Sequence, residues 1–261
     1  MAGARKVPVR SFGSEVPDPD VKDLAAWIGE RKGIGGDLTS FLLEKSLEPQ
    51  EGVDFPCPGG YIYRVRILES LQGLEGDALV REPSVDTTLV EEDARWGAAQ
   101  RMGLRFSLPA PHRLGIRDGY YHDPGEFCEG LSTCYRQILR AMRDAGAGGH
   151  FLLGEKVHEE EMEYLAGPRT LFYFPDLAAD DLPRLLEFQD VAAVPRPLLP
   201  RALELVDEYD LRHITIVDAK KEDIITAQEH LDPDQFSVGG YCREDCTKYW
   251  KGIVERAVMP R

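Results

Sequence analysis

The chain has 261 residues, of which 43% are hydrophobic, enough to build a full core in a domain of that size. Its 46 acidic and 31 basic side chains give a formal net charge of −15, which repels phosphate backbones and anionic lipid. We therefore expect no nucleic-acid partner and no membrane partner, although net charge says nothing about a basic pocket inside an acidic surface.

Cysteine content and hydropathy predict where the protein resides. Five cysteines are an odd number in a chain of this length, which is typical of reduced thiols in the cytosol rather than of a disulfide framework. No apolar run approaches the roughly 18 residues that span a bilayer. The N-terminal MAGARKVPVRSFGSE also lacks the apolar stretch of a secretory signal. The sequence thus predicts a cytoplasmic protein.

The first half of the chain has an irregular pattern. VPVRSFGS predicts a strand, and DVKDLAAWIGERKG predicts a helix that the turn PDPD precedes. The Pro- and Gly-rich DFPCPGGY predicts an irregular segment or the end of a strand. TTLVEEDARWGAAQRMG predicts an amphipathic helix, and LRFSLPAPH predicts a strand that stops at its prolines. CEGLSTCYRQILRAMRDAG predicts a long helix that Gly146 ends.

From Gly149 onward, apolar runs of strand length alternate with helical patterns. The runs are HFLLGE, RTLFYFPD, DVAAVPRP, RHITIVDA and QFSVGGY. This alternation predicts right-handed βαβ units and a parallel sheet buried on both faces, in either a doubly wound sheet or half of a barrel. We find no internal repeat and no long linker, so a single domain over residues 1–261 is the simplest organisation.

Four stretches, in chain order, resemble the C-terminal catalytic barrel of cobalamin-independent methionine synthase. Phe12-Gly13-Ser14 resembles the family's opening Ile-Gly-Ser turn, and the segment from Gln50 to Arg64 resembles its Q-x-x-G-hydrophobic-D, DGE and R pattern. LRFSLPAPHRL with the following helix and strand resembles its Leu-Pro-Gly-Pro region, and VGGYCREDC resembles its Asn-Pro-Asp-Cys-Gly strand. The resemblance implies a single (β/α)₈ barrel of the α/β class. Uroporphyrinogen decarboxylase-like barrels share this architecture and are the nearest alternative.

Most of that family's zinc site is missing from this sequence. The family holds a zinc ion, which activates a homocysteine thiolate, with a His-x-Cys pair on one strand, a glutamate and a late cysteine. The His-x-Cys strand aligns with TLFY at residues 170–173, VAAVPRP offers no glutamate, and only Cys242 matches a ligand. The family's substrate-binding Asp-Gly-Glu is PGG at residues 58–60. We therefore expect no metal site and no zinc-activated homocysteine methylation, and we leave open whether a folate is the cofactor.

Barrel enzymes hold their reactive groups at the carboxyl ends of the strands, and this rule selects three catalytic candidates. His112 closes SLPAPH as a candidate general acid or base, and Asp218 ends ITIVD as a candidate proton acceptor. Cys242 forms C-x₃-C with Cys246 at the start of the last helix, where a thiol is a candidate nucleophile. The alternatives are purely structural roles: a hydrogen-bonded loop histidine, a helix N-cap aspartate and core cysteines.

Five further residues are candidates for substrate binding. Arg196 ends an apolar strand and could hold a carboxylate or phosphate through two parallel hydrogen bonds, or it could form a surface salt bridge. The others lie at predicted strand ends or, for the tyrosine, in an aromatic loop; they are Ser14, Tyr121, Glu155 and Asp176.

These features favour a methionine synthase-like enzyme that acts without zinc on a small anionic substrate. The reaction would be one-carbon or alkyl transfer, or a related carbon–sulfur or lyase step. A uroporphyrinogen decarboxylase-like activity is one alternative and needs arginines that converge on one mouth, with Arg10, Arg64, Arg113 and Arg196 as candidates. A non-catalytic binding or partner subunit is another, in which residues 171–173 fill the former metal space. A homo-oligomer is compatible with each.

Overall fold

Strands and helices alternate along most of the chain in the computed structural model, which describes residues 6–31 and 36–259. The strands are β1 (Val9–Ser14), β2 (Leu71–Glu75), β3 (Ala78–Val85), β4 (Arg105–Pro109), β5 (Arg117–Asp118), β6 (Gly149–Leu153), β7 (Thr170–Tyr173), β8 (Val191–Pro195), β9 (His213–Val217) and β10 (Phe236–Cys242). The α-helices are α1 (Val21–Glu30), α2 (Leu38–Leu47), α3 (Arg64–Ser70), α4 (Thr88–Gln100), α5 (Pro124–Asp144), α6 (Glu159–Leu165), α7 (Asp181–Leu186), α8 (Leu199–Glu204), α9 (Lys221–His230) and α10 (Cys246–Arg256).

Two parallel sheets, β1-β10-β9-β8 and β4-β6-β7, form most of the barrel wall. Residues 55–59 take the place of a strand between them, because Phe55 bridges to Arg10 and Gly59 bridges to Ser107, both in parallel. The N–H of Gly60 also donates to the Ser107 carbonyl at 3.0 Å. The two prolines of this segment have no N–H, so its hydrogen bonding is interrupted. DFPCPGGY is therefore a barrel strand of irregular pairing.

A glutamine side chain joins the remaining neighbours, β7 and β8. The Phe172 N–H donates to Oε1 of Gln189 at 2.9 Å, and Nε2 of Gln189 donates to the carbonyls of Phe172 at 3.1 Å and Val191 at 2.9 Å. A primary amide offers the same donors and acceptors as a peptide group, so Gln189 replaces part of the strand ladder. The strands therefore follow one another around the barrel in a closed order, which is β1, 55–59, β4, β6, β7, β8, β9, β10 and again β1. This closed order confirms the predicted (β/α)₈ barrel.

Side chains fill the inside of the barrel. Phe12 stacks on Tyr173 with ring centroids 4.3 Å apart and meets Phe151 edge-on at 4.8 Å. The same buried cluster contains Cys57, Leu153, Leu171, Ala193, Val217 and Tyr241. The barrel is thus a packed core, as the architecture requires.

The helices pack on the outside of the barrel and bury a second, larger cluster. Phe172 belongs to that outer cluster, whereas its neighbours Leu171 and Tyr173 belong to the inner one, because successive strand residues point to opposite faces. From α5, Tyr135 and Ile138 join the outer cluster. None of the helices in the described ranges combines the length and the apolar character that crossing a bilayer requires.

A β-hairpin outside the barrel was not predicted from the sequence. Strands β2 and β3 pair in antiparallel fashion, and β3 continues in parallel to β5, beyond the end of β4. Within the hairpin, Leu79 is fully buried while Val80 is 38% exposed. Only part of the hairpin therefore contributes to the core.

A buried histidine should make the stability of the protein sensitive to acid. His150 of β6 is fully buried, and neither ring nitrogen has a hydrogen-bond partner among the described residues. Burial, followed by the charges of Arg143 and Arg105, lowers the pKa of His150 to about 3. Histidine in an unfolded chain has a pKa of about 6.5. The unfolded state therefore binds the extra proton below that pH, and stability falls as the pH drops from about 6.5 towards 3.

We expect His150→Leu to gain about 2 kcal/mol of unfolding free energy over the wild type when the pH is lowered from 7 to 5. Urea denaturation at the two pH values measures this difference. His230→Leu changes an exposed histidine and should show no such gain. An identical difference between His150→Leu and wild type at both pH values would contradict the prediction.

Candidate active site

The carboxyl ends of the barrel strands form a mouth whose floor is aromatic. Tyr173 of β7 and Tyr241 of β10 lie there with ring centroids 6.3 Å apart, and they are only 2% and 8% exposed. Both strands end at or next to these residues, so the phenol groups point out of the packed interior towards the loops. Polar groups at this end of the barrel are where this architecture places its chemistry.

Two phenol–carboxylate pairs lie at the mouth. The Tyr241 hydroxyl donates to the Glu15 carboxylate and accepts from the Tyr61 N–H at 3.1 Å. The Tyr249 hydroxyl donates to Oδ1 of Asp218 at 2.6 Å. Burial first, and then the adjacent carboxylates, raise the pKa of both phenols, so each keeps its proton. Asp218 itself adopts a left-handed φ of 54°, a conformation that aspartate tolerates better than most residues.

Charged groups surround the remaining phenol, that of Tyr173. Its side chain is 2% exposed, and its ring stacks on Phe12 with centroids 4.3 Å apart. Burial raises its pKa; the negative charges of Asp218 and Asp176 act in the same direction, and Arg243 opposes them. Arg243 donates to Asp176 at 2.8 Å across an exposed ion pair. The mouth thus combines a phenol donor, an exposed carboxylate and an exposed guanidinium group.

An acidic cleft of about 1530 Å³ adjoins the mouth. Glu15 and Arg243 line it, so the cleft and the mouth are continuous. Carboxylates outnumber basic side chains along its wall, which α1, α10 and the loop after β1 provide. Such a wall favours a ligand with a cationic group, while Arg243 offers a position for an anionic one.

His112, which follows β4, contacts the segment from Glu155 to Glu161, which follows β6. Its Nδ1 lies 2.7 Å from the Glu161 carboxylate, and its Nε2 accepts the N–H of Glu155 at 3.0 Å. The ring also stacks on His158 with centroids 4.3 Å apart. Since Nε2 is an acceptor here, the proton lies on Nδ1 and neither nitrogen is free for proton transfer. Glu155 takes part through its backbone, and its side chain is exposed.

Cys242 and Ser14 face the helix layer. Cys242 belongs to the outer cluster and is joined to Cys246 in a disulfide, which differs from the expectation of reduced thiols. A sulfur in a disulfide is not a thiolate nucleophile, so this arrangement does not supply the chemistry expected of Cys242. Ser14 is fully buried, and its hydroxyl oxygen accepts from Nε1 of Trp250 at 3.1 Å. The Ser14 hydroxyl is thus bound to a side chain of α10.

Arg196 and Tyr121 also have structural partners. Nε of Arg196 donates to the Asp223 carboxylate at 3.0 Å, at the start of α9. Tyr121 packs so closely on Gly130 of α5 that a Cβ at Gly130 would lie 2.5 Å from the tyrosine oxygen. These contacts correspond to the salt-bridge and packed-loop alternatives that the sequence left open.

The structure therefore gathers two of the eight predicted site residues, Asp176 and Asp218, around Tyr173. The others make the structural contacts described above or, for the Glu155 side chain, face solvent. Sequence reasoning missed Glu15, Tyr173, Tyr241, Arg243 and Tyr249 as mouth residues. The sequence did contain one signal for Tyr173, because Leu171 and Tyr173 stand two positions apart on a strand and must share a face.

Comparison with known proteins supports the fold. No protein-family model matches the sequence, and no curated protein is significantly similar to it. A B12-independent methionine synthase from a Shewanella species, solved in complex with selenomethionine, is 13% identical, with 97% of each chain covered and a TM-score of 0.66. A putative vitamin-B12 independent methionine synthase from Listeria monocytogenes is 16% identical, with 97% of this chain and 94% of that chain covered and a TM-score of 0.59. The predicted resemblance to methionine synthase barrels is confirmed in the fold.

The zinc site implied by that resemblance does not fit the residues of this chain. Leu171 and Tyr173 occupy the two interior positions that correspond to His-x-Cys, and the β8 residues that pack in the interior cluster are Val191 and Ala193. The Cys242 sulfur is bonded to Cys246. Within residues 6–31 and 36–259, no three His, Cys, Asp or Glu side chains are grouped as metal ligands. An aliphatic and a phenolic side chain do not replace imidazole and thiolate, so we derive no step through zinc.

Proposed function

We propose that this chain is an enzyme that transfers a methyl or other alkyl group to a small amino-acid-like substrate at the barrel mouth, without the zinc ion. The observation that carries the proposal is the set of exposed charged groups around the Tyr173 phenol, at the end of the barrel that holds reactive groups in this architecture. The Shewanella structure of the same fold contains selenomethionine, which supports an amino acid as the class of ligand.

Arg243 is the residue that would bind the substrate carboxylate. Its side chain is 57% exposed and that of Asp176 is 80% exposed, so water screens the ion pair between them. Such pairs contribute about 0–1 kcal/mol, and a substrate carboxylate can therefore replace Asp176 on the guanidinium group. The carboxylates along the adjoining cleft, Glu15 among them, would attract the substrate's ammonium group.

Asp218 is the proposed proton acceptor for the transfer. The substrate's thiol or amine would attack the alkyl carbon of an alkylated nitrogen or sulfur donor, a class that includes methylated folates. The new bond forms to the substrate, the proton passes to Asp218, and the donor heteroatom leaves with the electron pair of the broken bond. The Tyr173 phenol, which lies near Asp218 and Arg243, would hydrogen-bond to that leaving atom. Tyr249 holds the Asp218 carboxylate in place through its 2.6 Å hydrogen bond.

Substitution of Arg243 tests the binding step. A charge-assisted hydrogen bond contributes about 1.5–3 kcal/mol, so Arg243→Gln should weaken amino acid binding roughly tenfold or more. Thermal shift with homocysteine, other thiols, folates and small dicarboxylates identifies the ligand, and calorimetric titration gives its affinity. Arg201→Gln removes a comparable exposed ion pair, with Glu204 on α8, and should leave the affinity unchanged.

Substitution of Asp218 tests the chemical step. Asp218→Asn should abolish transfer to the thiol while the Kd of the substrate stays within a few-fold of the wild-type value. Failure of every amino acid and thiol to bind, or equal affinity in Arg243→Gln and wild type, would contradict the proposed function.

A non-catalytic binding subunit is the second candidate, and one observation favours it. Leu171 and Tyr173 fill the interior positions of the former metal ligands and pack against Phe12. This candidate predicts that the same ligands bind, that Arg243→Gln weakens them, and that no alkyl donor supports turnover. The turnover assay therefore separates the two candidates.

The decarboxylase alternative has no support in the arrangement of arginines. Arg10 lies at the amino-terminal end of the barrel, since it is the second residue of β1 and lines one cavity with Arg105, the first residue of β4. Arg64 donates to the carbonyl of Leu114, and Arg196 is bound to Asp223. Arg113 lies over the Tyr61 ring, 4.6 Å from its centroid, beside the mouth. Because Arg10 lies at the opposite end of the barrel, the four candidate arginines do not converge on one mouth, which that activity requires.

A further inference from the structure

A cluster of arginines lies at the amino-terminal end of the barrel, opposite the mouth. Arg10 belongs to β1, Arg105 begins β4, and Arg101 directly follows α4. Arg143 is the penultimate residue of α5, and Arg169 directly precedes β7. None of the five forms an ion pair with an aspartate or glutamate in the described ranges. Residues 1–5, 32–35 and 260–261 include no acidic side chain.

Two of these arginines present buried donors that the protein leaves without an acceptor. Nε of Arg10 and Nη1 of Arg105 are buried, and neither has a hydrogen-bond partner among the described residues. The two guanidinium groups lie over aromatic rings, Arg10 at 4.6 Å from the Phe55 centroid and Arg105 at 5.4 Å from the Phe151 centroid. More than nine in ten buried polar groups in proteins have a partner, so two adjacent exceptions indicate a site for an acceptor.

The guanidinium groups of Arg10 and Arg105 keep their positive charges, and no carboxylate of the described residues forms an ion pair with them. Burial, followed by repulsion from Arg105, lowers the pKa of Arg10 to about 10, which still leaves it protonated at neutral pH. The nearby Cys57 thiol is not a counterion, because burial raises its pKa. The partial negative charge of a helix C-terminus favours Arg101 and Arg143, but Arg10 and Arg105 belong to strands and have no such compensation.

We propose that this cluster is a binding site for a tetrahedral oxyanion of the phosphate or sulfate class. Arg10, Arg101 and Arg105 line one cavity of about 60 Å³. A single water needs roughly 10–15 Å³, so the cavity accommodates one small oxyanion and is too small for a nucleotide. Guanidinium groups present paired N–H donors that match the oxygens of such anions. The protein carries a net charge of −15, so this end is a local exception to a surface that repels anions.

Thermal unfolding in sodium phosphate, compared with sodium chloride at matched ionic strength, tests the site. The anion binds the folded state alone, so Tm should rise by roughly 5 °C when phosphate exceeds its Kd about a hundredfold. A phosphate monoester such as glycerol phosphate forms a second arm. A larger rise with the monoester assigns the site to the phosphate group of a larger molecule, and a larger rise with inorganic phosphate assigns it to the free anion. The same Tm in phosphate, monoester and chloride would overturn the proposal.

Variants distinguish this site from a general salt effect. Arg105→Met and Arg10→Gln should lose the phosphate-dependent rise, while their Tm in chloride equals or exceeds that of the wild type because an uncompensated buried charge is removed. If substitution of Arg10 or Arg105 prevents folding, Arg101→Gln provides the same test, because it changes an exposed residue. Arg201→Gln should keep the phosphate-dependent rise in Tm, because the exposed ion pair of Arg201 lies on α8 and outside the arginine cluster. A full rise in Arg10→Gln, Arg101→Gln and Arg105→Met would contradict the assignment.

The site is independent of the proposed function. Arg243→Gln at the opposite end of the barrel should retain the full response to phosphate while losing amino acid binding. Loss of both responses in Arg243→Gln would contradict the separate oxyanion site, whereas loss of neither would contradict the proposed substrate site alone.

Discussion

Replacement of Arg66 with methionine should lower the free energy of unfolding by about 3–5 kcal/mol. The Arg66 side chain is 1% exposed, and its Nε donates to Asp93, itself 6% exposed, at 2.7 Å. Its Nη1 donates to Asp37 at 2.7 Å, and Asp37 caps α2 through the Ser40 N–H. The arginine therefore connects α2, α3 and α4, and its removal leaves a buried carboxylate without a cation.

The pH dependence of this loss follows from Asp93. Burial already raises the pKa of Asp93, and Arg66 is the first of the groups that oppose this. Without Arg66 the folded-state pKa of Asp93 rises further above the unfolded value of about 3.9. A group with a raised folded-state pKa stabilises the fold at low pH and loses that contribution as the pH rises through the folded-state pKa. Urea denaturation should therefore show a larger loss at pH 8 than at pH 5.

Two controls separate the buried ion pair from a general effect of losing an arginine. Arg95→Met breaks an exposed pair with Glu91 on α4 and should cost less than about 0.5 kcal/mol. The double variant Arg66→Met with Asp93→Leu should lose less than the sum of the single losses, since neither charge is left alone. A loss below about 1 kcal/mol in Arg66→Met would contradict the structural assignment of this network.

Replacement of Phe12 with alanine should destabilise the protein by about 3–5 kcal/mol. Phe12 is 3% exposed and contacts Tyr173 and Phe151 at the centre of the barrel interior. Alanine would leave a cavity enclosed by strands that cannot collapse into it, because their spacing is set by the hydrogen bonds of the closed barrel. Urea or thermal denaturation measures the change.

The effect of Phe12→Ala should reach the mouth. Tyr173 would lose its stacking partner, so ligand binding at the mouth should weaken together with stability. Phe12→Leu keeps most of the volume and should cost less than about 1.5 kcal/mol. Met102→Ala alters a residue that is 94% exposed and should stay within about 0.5 kcal/mol of wild type. Equal stability of Phe12→Ala and Met102→Ala would contradict the packed interior.

Periodicity and composition predicted the parallel α/β class from the second half of the chain. The runs HFLLGE, RTLFYFPD, DVAAVPRP, RHITIVDA and QFSVGGY correspond to β6 through β10. The long helix predicted to end at Gly146 is α5, which ends at Asp144. These elements can be predicted from the local sequence, because a strand that is buried on both faces is a continuous apolar run. The helix between the runs DVAAVPRP and RHITIVDA is short, since α8 covers only Leu199–Glu204.

Tertiary context decided the irregular strand and the hairpin. Residues 55–59 have little strand propensity, and their place in the barrel depends on Arg10 and Ser107 on the two neighbouring strands. Gln189 completes the wall through a side chain that no propensity scale describes. The β2–β3 hairpin was missed because most of β3 faces solvent and carries charged side chains, which weakens the alternation that marks a strand.

The sequence by itself determined which end of each strand carries polar residues, and this placed Asp176 and Asp218 at the mouth. It did not determine partners: the contacts of His112 with Glu161 and of Ser14 with Trp250 join residues 49 and 236 positions apart. Arg10 and Arg105 likewise share a cavity only because the barrel closes. Hydrogen bonds act over about 3 Å and screened charges over about 10 Å. The chemistry of a side chain therefore depends on neighbours that distant strands bring together.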